Sequence, residues 1–104
     1  MDLSLLKFSS EDCGTCHRMS HYDSKVTEEL GCVFINVLLQ DVLSYRKYRN
    51  ILLTKYPKKE GMGWPTYLLV KNPESDFQIL GEIKGGMPKG DFRTRLKELI
   101  SSSN

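Results

Sequence analysis

Leu3-Ser4-Leu5-Leu6-Lys7-Phe8-Ser9-Ser10-Glu11-Asp12-Cys13-Gly14-Thr15-Cys16-His17 is the stretch that decides the fold. Its first six residues are short and apolar-rich and end at a polar cluster, the pattern of a buried strand. Its last five place two cysteines two residues apart, followed by a helical periodicity. Met19, Tyr22, Val26 and Leu30 recur at spacings of three and four. That predicts one helix from Gly14 to Leu30 with a single apolar stripe, closed by Gly31. Cys32-Val33-Phe34-Ile35-Asn36-Val37-Leu38-Leu39 is then β-branched and almost continuously apolar. It predicts a central strand covered on both faces, paired in parallel with the first through a crossover helix.

A second helix is expected from about Val42 to Tyr56, with Tyr45, Tyr48, Leu52 and Tyr56 inward and Pro57 as its stop. Lys58 to Gly63 reads as a polar loop, and Thr66 to Lys71 as the third strand. Asn72 to Asp76 has the composition of a turn, so Phe77 to Lys84 returns antiparallel. Gly85-Gly86 breaks that strand. A last helix runs from about Lys89 to Ser101, with Phe92, Leu96, Leu99 and Ile100 on its core face, and Ser101 to Asn104 reads as a frayed tail. The expected class is α/β, in the order β-α-β-α-β-β-α. Two strands pair in parallel and two antiparallel, with helices on both faces, in a single domain over residues 1–104.

The chain has 104 residues, 39% hydrophobic and 27% charged, which suits one soluble domain with one core. A net charge of +2 does not argue for nucleic acid or a membrane surface. No apolar run approaches bilayer length, and Met1-Asp2-Leu3-Ser4 carries no basic, then apolar, leader pattern. The expectation is a cytoplasmic protein, where cysteines remain reduced unless they are catalytic or bind metal. Three cysteines do not make a disulfide scaffold. They suit one working pair and one buried inert thiol, Cys32.

Three chemistries compete for the pair. Cys13-Gly14-Thr15-Cys16-His17 matches the attachment pattern of a c-type haem, with Met62 or Met87 as an axial ligand. Four expected strands and the lack of a leader stand against it. Cys13, Cys16, His17 and His21 form a second, zinc-ligating set, but structural zinc sites draw ligands from two separate segments and no second pair exists. A Cys-x-x-Cys beside a β-α-β pattern reads as a thiol–disulfide motif, and this reading is favoured.

At a helix start the first sulfur meets unpaired N–H groups and the positive end of the helix dipole, which stabilises a thiolate. At about 100° per residue, Cys16 lies roughly 60° from the Met19 direction and Cys13 roughly 120°. Cys13 is therefore expected to be the more exposed nucleophile and Cys16 the partly covered resolving thiol. His17, at i+4 from Cys13, either lowers its pKa further or is a solvated helix residue. Asp12 is expected to cap the helix, where its charge opposes thiolate formation.

These features resemble the thioredoxin superfamily. Cys13-Gly14-Thr15-Cys16 is similar to the family's Cys-Gly-Pro-Cys site. Gly63-Trp64-Pro65-Thr66 is similar to its Gly-Ile-Pro-Thr turn before the third strand, and Gly81 to Gly90 with Phe92 is similar to its last strand, glycine turn and terminal helix. The resemblance covers essentially the whole chain, in a minimal, glutaredoxin-sized version with only twelve residues before Cys13. It implies a disulfide oxidoreductase with a redox-active Cys13–Cys16 disulfide and no further cofactor. It implies a cis peptide before Pro65, with Trp64, Pro65 and Thr66 meeting an extended substrate by strand addition. Trp64 is either a lid beside Cys13 or a core-filling residue. The implied partners are protein disulfides and an upstream thiol reductase or glutathione, met by a monomer.

Lys7 stands where the family has a buried acid, six positions before the first cysteine. Facing the core, it cannot accept a proton from Cys16 and instead favours a thiolate; facing solvent, it does neither. Gly85-Gly86 and Asp91 resemble the glutathione-binding end of glutaredoxins, at a longer spacing. Arg46, Lys47, Arg49, Lys55, Lys58 and Lys59 crowd the second helix and its loop. They form a solvated face or, in an alternative reading, the docking patch of a redox-inactive binding module.

Overall fold

The structure is a computed structural model that describes residues 3–58 and 64–103. The elements in order are β1 (Leu3–Ser9), α1 (Gly14–Met19), α2 (Asp23–Glu29), β2 (Val33–Leu38), α3 (Val42–Lys55), β3 (Thr66–Lys71), β4 (Gln78–Lys84) and α4 (Lys89–Ser102). They form a mixed α/β fold, as expected, around one four-stranded sheet in the order β2-β1-β3-β4. β1 pairs with β2 in parallel and with β3 antiparallel, and β3 pairs with β4 antiparallel.

Alternation along β1 divides the core in two, because successive side chains point to opposite faces. Leu3 and Leu5 join Met19, Val26, Tyr67, Leu69, Ile83, Phe92 and Leu96 under α1, α2 and α4. Leu6 and Phe8 join Val37, Tyr48, Ile51, Leu52, Leu68 and Val70 under α3. Helices therefore cover both faces.

Three expectations are corrected. First, β2 is an edge strand. Its side chains do reach both cores, Phe34 on one side and Ile35 and Val37 on the other. Yet Val33 is 56% exposed, and the fully buried central strands are β1 and β3. An apolar run shows that both faces are covered; it does not show which neighbours a strand has. Cys32 precedes β2 rather than lying within it.

Second, the helix expected from Gly14 to Leu30 is two helices. Ser20, His21 and Tyr22 close tight i→i−3 bonds to His17, Arg18 and Met19, and Ser20 Oγ donates to the His17 carbonyl. The ladder restarts when Val26 N–H donates to the Tyr22 carbonyl. The apolar stripe survives the break, because Met19 and Val26 are both buried. Gly31, at φ +84°, follows the end of α2 in the left-handed region that glycine adopts freely.

Third, the fourth strand begins at Gln78, one residue later than expected, and it carries a register shift: Leu69 faces Gly81 while Val70 faces Ile79, leaving Leu80 as the extra residue. Leu80 joins the core under α4 and Ile79 the core under α3. A Cβ on Gly81 would lie 2.5 Å from Leu99, so the bulge brings bare backbone against α4. At the far end α4 continues through Ser101 and Ser102, two residues expected to fray. Asn104, Met62, Gly63 and most of the Lys58–Gly63 loop, with Lys59 and Glu60, lie outside the described residues.

Candidate active site

One end of the sheet collects the cysteine pair, the Trp64-Pro65 turn and the Gly85-Gly86 turn. β1 ends at Ser9, and four residues later the chain reaches Cys13. Thr66, at the start of β3, pairs with Phe8 on one side and Lys84, the last residue of β4, on the other. Pro65 and Gly85-Gly86 therefore lie at the same sheet end as Cys13. Gly85 N–H donates to the Pro65 carbonyl at 3.0 Å, tying the two turns together. Gly85 holds φ +79°, and the Trp64–Pro65 peptide is cis. A Cβ on Gly86 would lie 2.4 Å from Thr15 Cγ2, so only glycine seats this loop against the cysteine motif.

Cys13 and Cys16 are joined by a disulfide, with Cα atoms 5.2 Å apart. Cys13 is half-buried, and Cys16 is only 4% exposed. Asp12 does not cap α1. It is exposed, and its N–H donates to Ser10 Oγ. Cys13 is itself the capping residue, its sulfur accepting from Cys16 N–H at 3.0 Å. The helix starts at Gly14 as expected, which makes Cys13 its N-cap and leaves the Asp12 carboxylate one residue outside the cap. His17 is exposed, and its Nε2–H donates to the Glu11 carbonyl at 3.0 Å, clasping the loop before the motif. His21 is exposed in the turn after α1.

Lys7 faces the core, on the odd face of β1. Its ammonium lies 2.6 Å from Asp23 Oδ2 and donates to the Cys16 carbonyl at 2.8 Å. Tyr67 completes the group by donating from its hydroxyl to the same Asp23 oxygen at 2.8 Å. All three side chains are essentially removed from solvent. A buried charge is tolerable only when paired and hydrogen-bonded, and here each charge meets both conditions. Burial, first of all, and then the Asp23 carboxylate push the Tyr67 hydroxyl far above the ordinary tyrosine range. Thus a buried carboxylate does sit beneath the motif, but it comes from α2 and is held by a lysine from β1.

The sequence reading missed Asp23 and Tyr67. Their separation from Lys7 carries no local signal. The one available clue was Lys7 itself, since a lysine forced into a core demands an acid.

Trp64 is half-buried and packs against the core under α3, while Pro65 and Thr66 are buried. Cys32 is a buried free thiol whose pKa is raised by loss of solvent. Of the basic residues on α3, Lys47 pairs with Glu74 at 3.0 Å and Lys55 with Glu82 at 3.8 Å, which dilutes the positive face. Among the described residues there is no cluster of three potential metal ligands. None of their helices is long and apolar enough to cross a membrane.

A four-stranded mixed sheet in the order β2-β1-β3-β4 with helices on both faces and a Cys-x-x-Cys disulfide after the first strand is a thioredoxin-like arrangement. Solved structures agree. The periplasmic thioredoxin SoxS of Paracoccus pantotrophus superposes with a TM-score of 0.66 at 18% identity, over 99% of this chain and all of that one. A thioredoxin from Thermus thermophilus gives 0.62 at 22% identity, over 98% of this chain and 74% of that one. Thioredoxin-2 of the malaria parasite gives 0.62 at 20% identity, over 93% and 82%. No family model matches the chain, and no curated protein sequence matches it significantly. The fold is the thioredoxin fold.

Proposed function

We propose that this protein is a thiol–disulfide oxidoreductase that reduces protein disulfides by dithiol exchange. The observation that carries the reading is the Cys13–Cys16 disulfide itself, with one sulfur-bearing residue half-buried and the other buried. In the reduced form the accessible Cys13 thiolate attacks one sulfur of a substrate disulfide. A Cys13–substrate bond forms as the substrate's own S–S bond breaks and releases a thiolate, which takes up a proton. Cys16, already within bonding reach, then gives up its proton and attacks Cys13. The Cys13–Cys16 disulfide re-forms, and the substrate leaves fully reduced by two electrons. A thiol reductase or glutathione recharges the pair.

Lys7 and Asp23 act in this reading as positioning residues, fixing the Cys16 backbone so that the resolving sulfur stays in register. Trp64 and Pro65 border the substrate's approach.

Cys13→Ser is expected to abolish reduction of a model protein disulfide, and Cys16→Ser to accumulate the mixed disulfide, visible as a covalent adduct on non-reducing gels. Undiminished reduction by Cys13→Ser would sink the proposal. The midpoint potential of the pair then sets its direction, strongly negative for a reductant.

A further inference from the structure

Beside the cysteine motif lies a cavity of about 400 Å³ lined by Arg18, Tyr22, Gly86, Met87 and Pro88. Arg18 follows Cys16 by two residues, on the same short helix. Its side chain is exposed, and it makes no ion pair among the described residues. The remaining walls are largely apolar. Tyr22 presents its ring, because its hydroxyl is already committed as a donor to the Met87 carbonyl. That bond also fixes the loop forming the opposite wall. Gly86 is where this loop meets the motif: an added Cβ would strike Thr15 and lie 3.3 Å from the Arg18 guanidinium. Glycine there lets the loop lie against Thr15, the residue before Cys16, and beside the Arg18 guanidinium.

The result is a cation with no ion-pair partner among the described residues, set against largely apolar walls beside the cysteine motif. A guanidinium matches a carboxylate with two parallel N–H···O bonds, and partial exclusion of water by the walls strengthens the pairing. The cavity's volume lies at the lower end of the range of small-molecule sites.

We infer that this cavity is a carboxylate subsite, in which Arg18 receives an acidic group carried close to the disulfide under attack. The inference rests on the oxidoreductase reading and adds a substrate preference to it. Two sources carry such a group: an acidic residue flanking a protein's cysteine, and the carboxylates of a glutathione disulfide.

Two probe pairs test it by kcat/KM at low ionic strength. One is a peptide disulfide with Glu beside the cysteine against its Gln counterpart. The other is glutathione disulfide against its carboxamide form. The acidic member of at least one pair should be favoured about fivefold, the scale of a partly exposed, charge-assisted contact. Arg18→Gln should bring that ratio near one, Arg18→Lys should keep part of it, and Arg18→Glu should reverse it. Added salt should shrink the wild-type ratio. The pair that discriminates names the source of the carboxylate. Reduction of all four probes with ratios near one overturns the subsite and leaves the oxidoreductase reading standing. A ratio untouched by Arg18→Gln overturns the assignment to this cavity. Failure to reduce any probe overturns the oxidoreductase reading, and the subsite with it.

Discussion

Under α1, α2 and α4 the core encloses Lys7, Asp23 and the Tyr67 hydroxyl, all nearly free of solvent contact. Under α3 the core is built from Leu6, Phe8, Val37, Tyr48, Ile51, Leu52, Leu68 and Val70. There the charged groups meet at the rim, where Tyr48 donates to Glu74 beside Lys47 and Tyr56 donates to Glu82 beside Lys55. The two halves thus hold their helices by different means. α3 is held mainly by non-directional apolar packing, which tolerates small displacements. α1 and α2 are also held by directional bonds from β1 and β3, and one of those bonds ends on the Cys16 backbone. The buried charge lies on the face that carries the disulfide, where position matters most.

The largest test of this contrast removes one half of the buried ion pair. Asp23→Leu leaves the Lys7 ammonium buried without its counter-ion and should cost about 3–5 kcal/mol in urea unfolding. The double variant Lys7→Met with Asp23→Leu should lose clearly less, because no lone charge remains. Equal losses in single and double variants would mean that the pair does not hold α2 to β1.

On the other face, Leu52→Ala should cost about 2–5 kcal/mol through lost contact and a residual cavity. Its loss should not depend on pH between 5 and 9, since no titratable group is freed.

A smaller effect is expected from Tyr67→Phe, about 1.5–3 kcal/mol, the range for a hydrogen bond to a charged group. It carries a pH signature as well. The folded Tyr67 hydroxyl ionises far above its unfolded value of about 10. Below that value both states hold the proton and the stabilisation is complete. Above it the unfolded chain binds fewer protons than the native one, so stability falls as pH rises. Tyr67→Phe should reduce this alkaline loss in denaturant midpoints taken from pH 9 to 11, leaving the part that comes from Tyr48 and Tyr56, whose hydroxyls burial also raises. An unchanged slope would place the loss elsewhere.

The smallest effect belongs to the rim. Glu74→Gln removes the exposed partner of Lys47, and the urea midpoint should not move measurably. A clear shift would show that the α3 face depends on charge as the other does.

Residues whose neighbours are local were readable from the chain. The strand ending in the motif, the stripe Met19, Val26, Phe92 and Leu96, the start of α3 at Val42 and the glycines at 31 and 85 all follow from periodicity and turn chemistry. The motif, with Pro65 some fifty residues later, was enough to imply the site. Three things were not legible. The break at Ser20–Tyr22 preserves the apolar stripe, so no periodicity betrays it. The edge position of β2 depends on pairing, which a single strand's sequence does not express. The cap at Cys13 rather than Asp12 depends on the path of a loop.

What the sequence determined by itself was the chemistry available: two cysteines at a helix start, a proline turn, a glycine turn, and a mixed α/β pattern to hold them. What only the tertiary structure decided was the surroundings of that chemistry. Lys7 could have faced solvent or core, and the packing of α2 against β1 gave it Asp23. Arg18 was an ordinary helix residue until Gly86, sixty-eight positions later, closed a cavity against it. The physical reason is the same in each case. Propensity and periodicity act over a few residues, whereas a buried charge or a binding cavity is completed by groups that meet only when the sheet brings distant strands to one end.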